Sequence, residues 1–286
     1  MQNLSSKIFL DSSDPIETKK ALQILGSLDG QTTNPSLVAK NPQIQEFIKA
    51  GKKFLNHDLI AEYKLIINQI LEIIPNGSVS IEVYCDNSTT YSEILSQAED
   101  MQSSIPKAHI KIPANREGLK AAEIFIKNGG KVNMTLCFSQ AQASAVEIIS
   151  RNAKEDSVIY SSFVGRLFDN KINGLRLLEI CLDLYKKKNS NVQVLAASFR
   201  SLDQILACFK IKTDIVTIPY KYIQEWEGLG LKVPSNDFIY LIEDDIEDIK
   251  VENIQTDDWR TLPIENELTK IGIDLFSSDW NKLISN

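Results

Sequence analysis

Leu10-Asp11-Ser12-Ser13-Asp14, the turn after the first apolar run, decides the fold because it contains no glycine. An open, doubly wound α/β sheet carries a Gly-rich phosphate turn at that place. Without it, the chain reads as a closed barrel, provided the rest of the sequence supplies the βα units. Working outward, short β-branched runs alternate with amphipathic helical segments, the pattern of βα units around a parallel sheet. Strands are expected at Lys7–Asp11, Gly30–Asn34, Ser78–Val83, His109–Pro113, Lys131–Leu136, Val158–Phe163, Gln193–Phe199 and Asp214–Pro219. Several are near-continuous apolar runs, as strands covered by helices must be. The expected fold is therefore α/β: a single-domain (β/α)8 TIM barrel with an extra C-terminal helix.

The helix starts agree with this division. Asp14-Pro15-Ile16-Glu17 supplies an N-cap, a proline at the first helical position and an early acid. Ser139 with Gln142, and Ser201 with Gln204, fit the capping box. Leu59, Tyr63, Ile66, Ile67, Ile70, Leu71 and Ile74 fall on one helical face. The long second-to-third strand connection is expected to hold two helices, with a break near Asn56–Asp58.

Composition bounds the function. At 286 residues the chain can bury one large core, and a net charge of -7 argues against a nucleic-acid partner. Met1 to Ser6 is polar and no run approaches a membrane span, so no secretory signal and no membrane partner are expected. Cys85, Cys137, Cys181 and Cys208 are widely spaced and read as free thiols of a cytoplasmic protein. His57 and His109 have no metal-type partners, which argues against a zinc site or a histidine triad. Residues 1–235 read as the catalytic barrel, and 236–286 as an acidic linker and a C-terminal helix packed on it. The acid-rich stretch Asp237–Asp258 reads as a solvated linker. The last helix, through Leu268 to Leu283, is expected to pack on the barrel or cross its mouth.

The chemistry lies at the strand ends. In Ala108-His109-Ile110-Lys111-Ile112-Pro113, Lys111 points off an otherwise apolar strand. Burying an ammonium is expensive unless it is paired or loses its proton. A neutral amine in such a place can attack a carbonyl and form a Schiff base. A snorkelling surface lysine is the plain alternative, but its neighbours argue against it. Asp11 ends the first strand, Glu82 lies between Ile81 and Val83 on the third, and Asn133 and Thr135 share a face of the fifth. Ser161 leads to Arg166 after the sixth strand, and Ser198 to Arg200 after the seventh. Two carboxylates bracket a lysine, and two arginines stand ready for one phosphate.

The blocks Asp29-Gly30-Gln31-Thr32-Thr33-Asn34-Pro35-Ser36-Leu37, Ile110-Lys111-Ile112-Pro113, Val132-Asn133-Met134-Thr135-Leu136, Ser162-Phe163-Val164-Gly165-Arg166 and Ala197-Ser198-Phe199-Arg200 resemble the transaldolase family of class I aldolases. The resemblance implies a permuted (β/α)8 barrel with the Schiff-base lysine, Lys111, on strand four. It implies acid/base roles for Asp11 and Glu82, the latter through a water held with Thr135. It gives Asn34 and Asn133 to substrate hydroxyls and lysine orientation, Ser161 to the dihydroxyacetone moiety, and Arg166, Ser198 and Arg200 to the phosphate. Phe163 belongs to the substrate pocket. The implied activity is transfer of dihydroxyacetone between sugar phosphates in the pentose phosphate pathway, with no cofactor and, as a family expectation, a homodimer. A fructose-6-phosphate aldolase is the alternative, and a noncatalytic sugar-phosphate binder a weaker one. The releasing aldolases resemble one another in carrying glutamine and tyrosine where this chain has Glu82 and Phe163. Two departures, Ile112-Pro113-Ala114 after the lysine and Ser162 for the usual proline, touch no catalytic position.

Overall fold

Eight parallel strands close in chain order: β1 Lys7–Asp11, β2 Gly30–Thr32, β3 Ser78–Glu82, β4 His109–Pro113, β5 Val132–Cys137, β6 Val158–Phe163, β7 Gln193–Ala197 and β8 Ile215–Pro219. The computed structural model describes residues 4–285. β8 pairs back onto β1, so the sheet has no free edge. This is the (β/α)8 barrel expected from the glycine-free turn, with the helices outside and an additional C-terminal helix, Glu267–Asn281.

Several strand bounds differ from expectation by one or two residues, three of them for a clear local reason. β7 stops at Ala197 rather than Phe199, because Ser198 takes a left-handed φ of 67° and turns the chain out of the ladder. The Ser198 carbonyl then lies where a Cβ on Gly165 would approach it to 1.9 Å, so only glycine fits there. β2 stops at Thr32, because Asn34 becomes the N-cap of the helix Pro35–Lys40, accepting from Leu37 N at 2.9 Å. β5 runs on to Cys137 through a register shift after Met134, with Leu136 at φ 56°.

The β2–β3 connection holds three helices, Pro35–Lys40, Pro42–Lys49 and Asn56–Ile73, not two. Asn41 both ends the first and caps the second, where Pro42 has no N–H to continue the helix. Leu59, Tyr63, Ile66, Ile67 and Ile70 form the buried face of the third helix as expected. The predicted capping boxes are half right. Ser139 and Ser201 do cap, but Gln142 and Gln204 reach one residue further back, to the N–H groups of Phe138 and Arg200.

Inward residues of β4 alternate as His109, Lys111 and Pro113. His109 closes the bottom of the barrel. Its Nε2 donates to the Asp156 carbonyl and its Nδ1 accepts from the Ser78 hydroxyl, each at 2.9 Å. Burial holds the ring's pKa down to about 4, so it is neutral, its one proton is on Nε2 and Nδ1 is left as the acceptor.

The acidic stretch is solvated on one side and pinned on the other. Residues 229–266 run around the outside of the barrel before the C-terminal helix begins. Glu247 forms a bridge with Ile172, Tyr240 packs on Phe168 at 5.7 Å, and Glu252 N donates to Gln140. Asp257 pairs with Arg151 at 2.7 Å, and Arg260 with Glu123 at 2.7 Å. The four cysteines are free and buried. No helix among the described residues is long and apolar enough to cross a membrane. No cluster of metal-ligating side chains occurs among those residues.

Candidate active site

Lys111 and Glu82 face each other across the β3–β4 ladder, and Asn133 is the partner of Lys111 across β4–β5. The ammonium lies 3.0 Å from Glu82 Oε2, with side chains only 4% and 2% exposed. Oε2 has no aligned hydrogen bond, so this contact is an ion pair. Lys111 Nζ donates instead to the Thr33 carbonyl at 2.8 Å. The lysine therefore does not snorkel. Its charge is held by one carboxylate and one carbonyl, the compensation that burial demands.

Asp11 enters from β1. Its Oδ1 accepts from Thr32 at 2.8 Å, and Thr32 lies 2.6 Å from the hydroxyl of Thr217 on β8. Because Thr32 gives its proton to the carboxylate, Thr217 must donate to Thr32. Burial raises the Asp11 pKa, opposed first by Lys111 and then by the Thr32 bond. Burial likewise raises Glu82, with Lys111 pulling down and Asp11 pushing up. Two carboxyls sharing one ammonium are poised to trade protons, as general acid–base work requires.

Asn133 and Ser161 join one network. Ser161 donates to Asn133 Oδ1 at 2.6 Å, and Asn133 Nδ2 donates to Ser80 Oγ at 3.1 Å. Thr135 lies one inward step above Asn133, with its buried hydroxyl unpartnered by protein. Asn34 borders the cavity, its carbonyl oxygen accepting the helix-cap bond from Leu37 N. The lysine's own polar contacts are with Thr33 and Glu82.

A cavity of about 320 Å³ opens above these groups, bordered by Asp11, Lys111, Ser161, Phe163, Arg166 and Arg200. Arg200 is clamped by Asp169 at 2.6 to 3.1 Å and by its own Ser198. Arg166 stacks over Phe163 at 5.5 Å, and its buried Nη1 has no hydrogen-bond partner among the described residues. Burial and the neighbouring Arg200 both lower the Arg166 pKa, the mark of positive charge awaiting an anion. The C-terminal helix forms the roof through Leu275, Phe276 and Asp279. Thr269 anchors it by donating to the Leu136 carbonyl at 2.8 Å.

The eleven residues singled out from sequence thus lie along the strands, from mid-strand Lys111 and Asn133 upward, or just beyond their C-terminal ends, as Asn34, Arg166, Ser198 and Arg200 do. Sequence reasoning gave no role to Thr32, Thr33 or Thr217, or to the roof residues. Thr32 and Thr33 stood inside a quoted block, and Thr217 falls on an inward β8 position. The last helix was expected to pack on the barrel or cross its mouth, but no local signal marked Leu275, Phe276 or Asp279 as cavity residues.

A barrel with a buried lysine and two carboxylates at its mouth defines an aldolase-type enzyme. The chain belongs to the transaldolase/fructose-6-phosphate aldolase family, whose model matches residues 8–286. A probable transaldolase of Dehalococcoides mccartyi is 34% identical over 219 residues, covering 77% of this chain and 89% of the relative. One from Anaeromyxobacter dehalogenans is 35% identical, covering 77% and 88%. One from Chlorobaculum parvum is 36% identical, covering 77% and 89%.

Proposed function

We propose that this protein is a transaldolase that carries a dihydroxyacetone unit between sugar phosphates on an imine at Lys111, within the pentose phosphate pathway. The observation that carries this reading is the buried Lys111–Glu82 pair at 3.0 Å beneath a cavity walled by Asp11 and Arg166.

In this reading a ketose phosphate, such as sedoheptulose 7-phosphate, places its phosphate on Arg166, Arg200 and Ser198. Its hydroxyls meet Asn34, Asn133 and Ser161. Lys111 passes a proton to Glu82 and attacks the C2 carbonyl. Glu82, through a water held with Thr135, then protonates the departing hydroxyl as the imine forms. Asp11 removes the C4 hydroxyl proton and the C3–C4 electron pair moves into the imine. The aldose phosphate, here erythrose 4-phosphate, leaves and an enamine remains on Lys111. Glyceraldehyde 3-phosphate then enters, and the same steps in reverse give fructose 6-phosphate.

Retention of the enamine distinguishes transfer from aldol release. Phe163 borders the cavity and has no proton to give to the enamine carbon, which favours transfer over fructose-6-phosphate aldolase activity. The test is borohydride reduction of the protein with fructose 6-phosphate, followed by mass mapping. An adduct on Lys111 is expected. Its absence would remove both the transferase and the aldolase reading and leave a sugar-phosphate binder.

A further inference from the structure

Tyr63 is out of place on its helix. The other buried positions of that face, Leu59, Ile66, Ile67 and Ile70, are aliphatic, whereas Tyr63 carries a hydroxyl into a fully enclosed site. A buried hydroxyl is costly unless bonded.

Its bonds have one direction. Thr33 Oγ1 donates its only proton to the Ser80 carbonyl at 2.7 Å, so the contact between Thr33 and Tyr63 must use the tyrosine proton. Tyr63 then accepts from the Glu82 backbone N–H at 3.1 Å. A single file of donation runs from Glu82 N through Tyr63 and Thr33 to Ser80. Backbone groups at both ends cannot exchange roles, so the orientation is locked. The two residues it grips, Thr33 and Glu82, are the two that hold the Lys111 ammonium, at 2.8 and 3.0 Å.

We infer that Tyr63 is a positioning residue, whose hydroxyl fixes Thr33 and Glu82 and thereby sets the line of attack of Lys111. This rests on the imine reading above. A core filler needs only the ring, which packs on Trp280 at 6.1 Å. A positioning residue needs the oxygen.

Tyr63→Phe keeps the ring and removes the oxygen. At saturating fructose 6-phosphate, the rate of borohydride-trapped adduct on Lys111 should fall roughly 10- to 100-fold, as small misplacements of a reacting group do. KM should stay near the wild-type value, because Arg166 and Arg200 are untouched. Thr33→Val should copy this loss, Thr33→Ser should restore most of the rate, and the double Tyr63→Phe/Thr33→Val variant should be no slower than either single variant. The Thr33 pair carries the test if Tyr63→Phe does not fold. A folded Tyr63→Phe protein that traps within about twofold of wild type, or singles whose losses multiply, would overturn the inference. Wild type that forms no adduct would instead sink the imine reading, and the inference with it.

Discussion

Glu82 and Lys111 are ladder partners on adjacent strands, so their 3.0 Å ion pair is set by backbone register rather than by long flexible side chains. Register makes the pair rigid and also makes it vulnerable to single substitutions. Lys111→Met should lower turnover on the order of 10⁴-fold or more, as loss of a nucleophile does, while the barrel still closes. Glu82, left without its cation, should bind a proton in the folded state. A carboxyl with a raised folded-state pKa stabilises at low pH and loses that contribution as pH rises. Urea midpoints of the variant should therefore fall from pH 5 to pH 8 relative to wild type. A variant with turnover near wild type would refute the nucleophile assignment.

Arg166 and Arg200 should separate by substrate type. Arg166→Ala should raise KM for phosphorylated substrates roughly 10- to 100-fold, the worth of a charge-assisted bond. Addition reactions of free dihydroxyacetone should hardly change. Arg200→Ala should act similarly and also release Asp169. Equal losses with both substrate types would make the arginines structural.

Gly272 on the roof helix offers a remote route to the same site. A Cβ there would come within 2.5 Å of Leu136 Cδ2 and 2.8 Å of Arg166 Nη1. Gly272→Ala should displace Arg166, raising KM for sugar phosphates about threefold to tenfold with a smaller change in kcat, a loss of ~1 kcal/mol. Steady-state kinetics on the purified variant will decide.

Phe163→Tyr tests enamine retention. A phenol at the cavity wall can protonate the enamine carbon, so free dihydroxyacetone should accumulate from fructose 6-phosphate alone. Adding Glu82→Gln should strengthen release over transfer. Wild type should release little without an acceptor aldehyde, and release as fast as transfer would favour the aldolase alternative.

His109 should shape the acid limb of stability. Its folded-state pKa of about 4 lies below the ordinary 6.5. The contribution is therefore complete above pH 6.5 and lost as pH falls toward 4. A shift of that size corresponds to roughly 3 kcal/mol. His109→Gln cannot take on the charge and should flatten this limb in urea titrations at stepped pH.

Much of this was legible in the residues. Near-continuous apolar, β-branched runs announced the strands, and Lys111 with Glu82 on apolar strands announced a buried charge pair. What escaped were features made by distant segments. Ser198 shortens β7 through a backbone turn packed on Gly165, which no propensity reports. Thr33 acts through its carbonyl, an atom every residue has. Tyr63 looked like one more member of an apolar face, because helical spacing tells which side is buried and not which atom it meets. The stretch Asp237–Asp258 looked solvated because its acids are, while Tyr240 and Ile246 turn the other way.

The position of the roof helix also sets an order of assembly. On the ribosome, the eight strands are complete at Pro219, some fifty residues before Leu275, Phe276 and Asp279 are made. A nascent barrel can thus close its ladder and seat Lys111 beside Glu82 while its cavity still lacks a wall. The cavity gains that wall only when the belt 229–266 finishes its circuit and brings Trp280 onto Tyr63. The wall over the buried pair is thus among the last parts of the described chain to be made, and truncation after the barrel should leave Lys111 and Glu82 open to water.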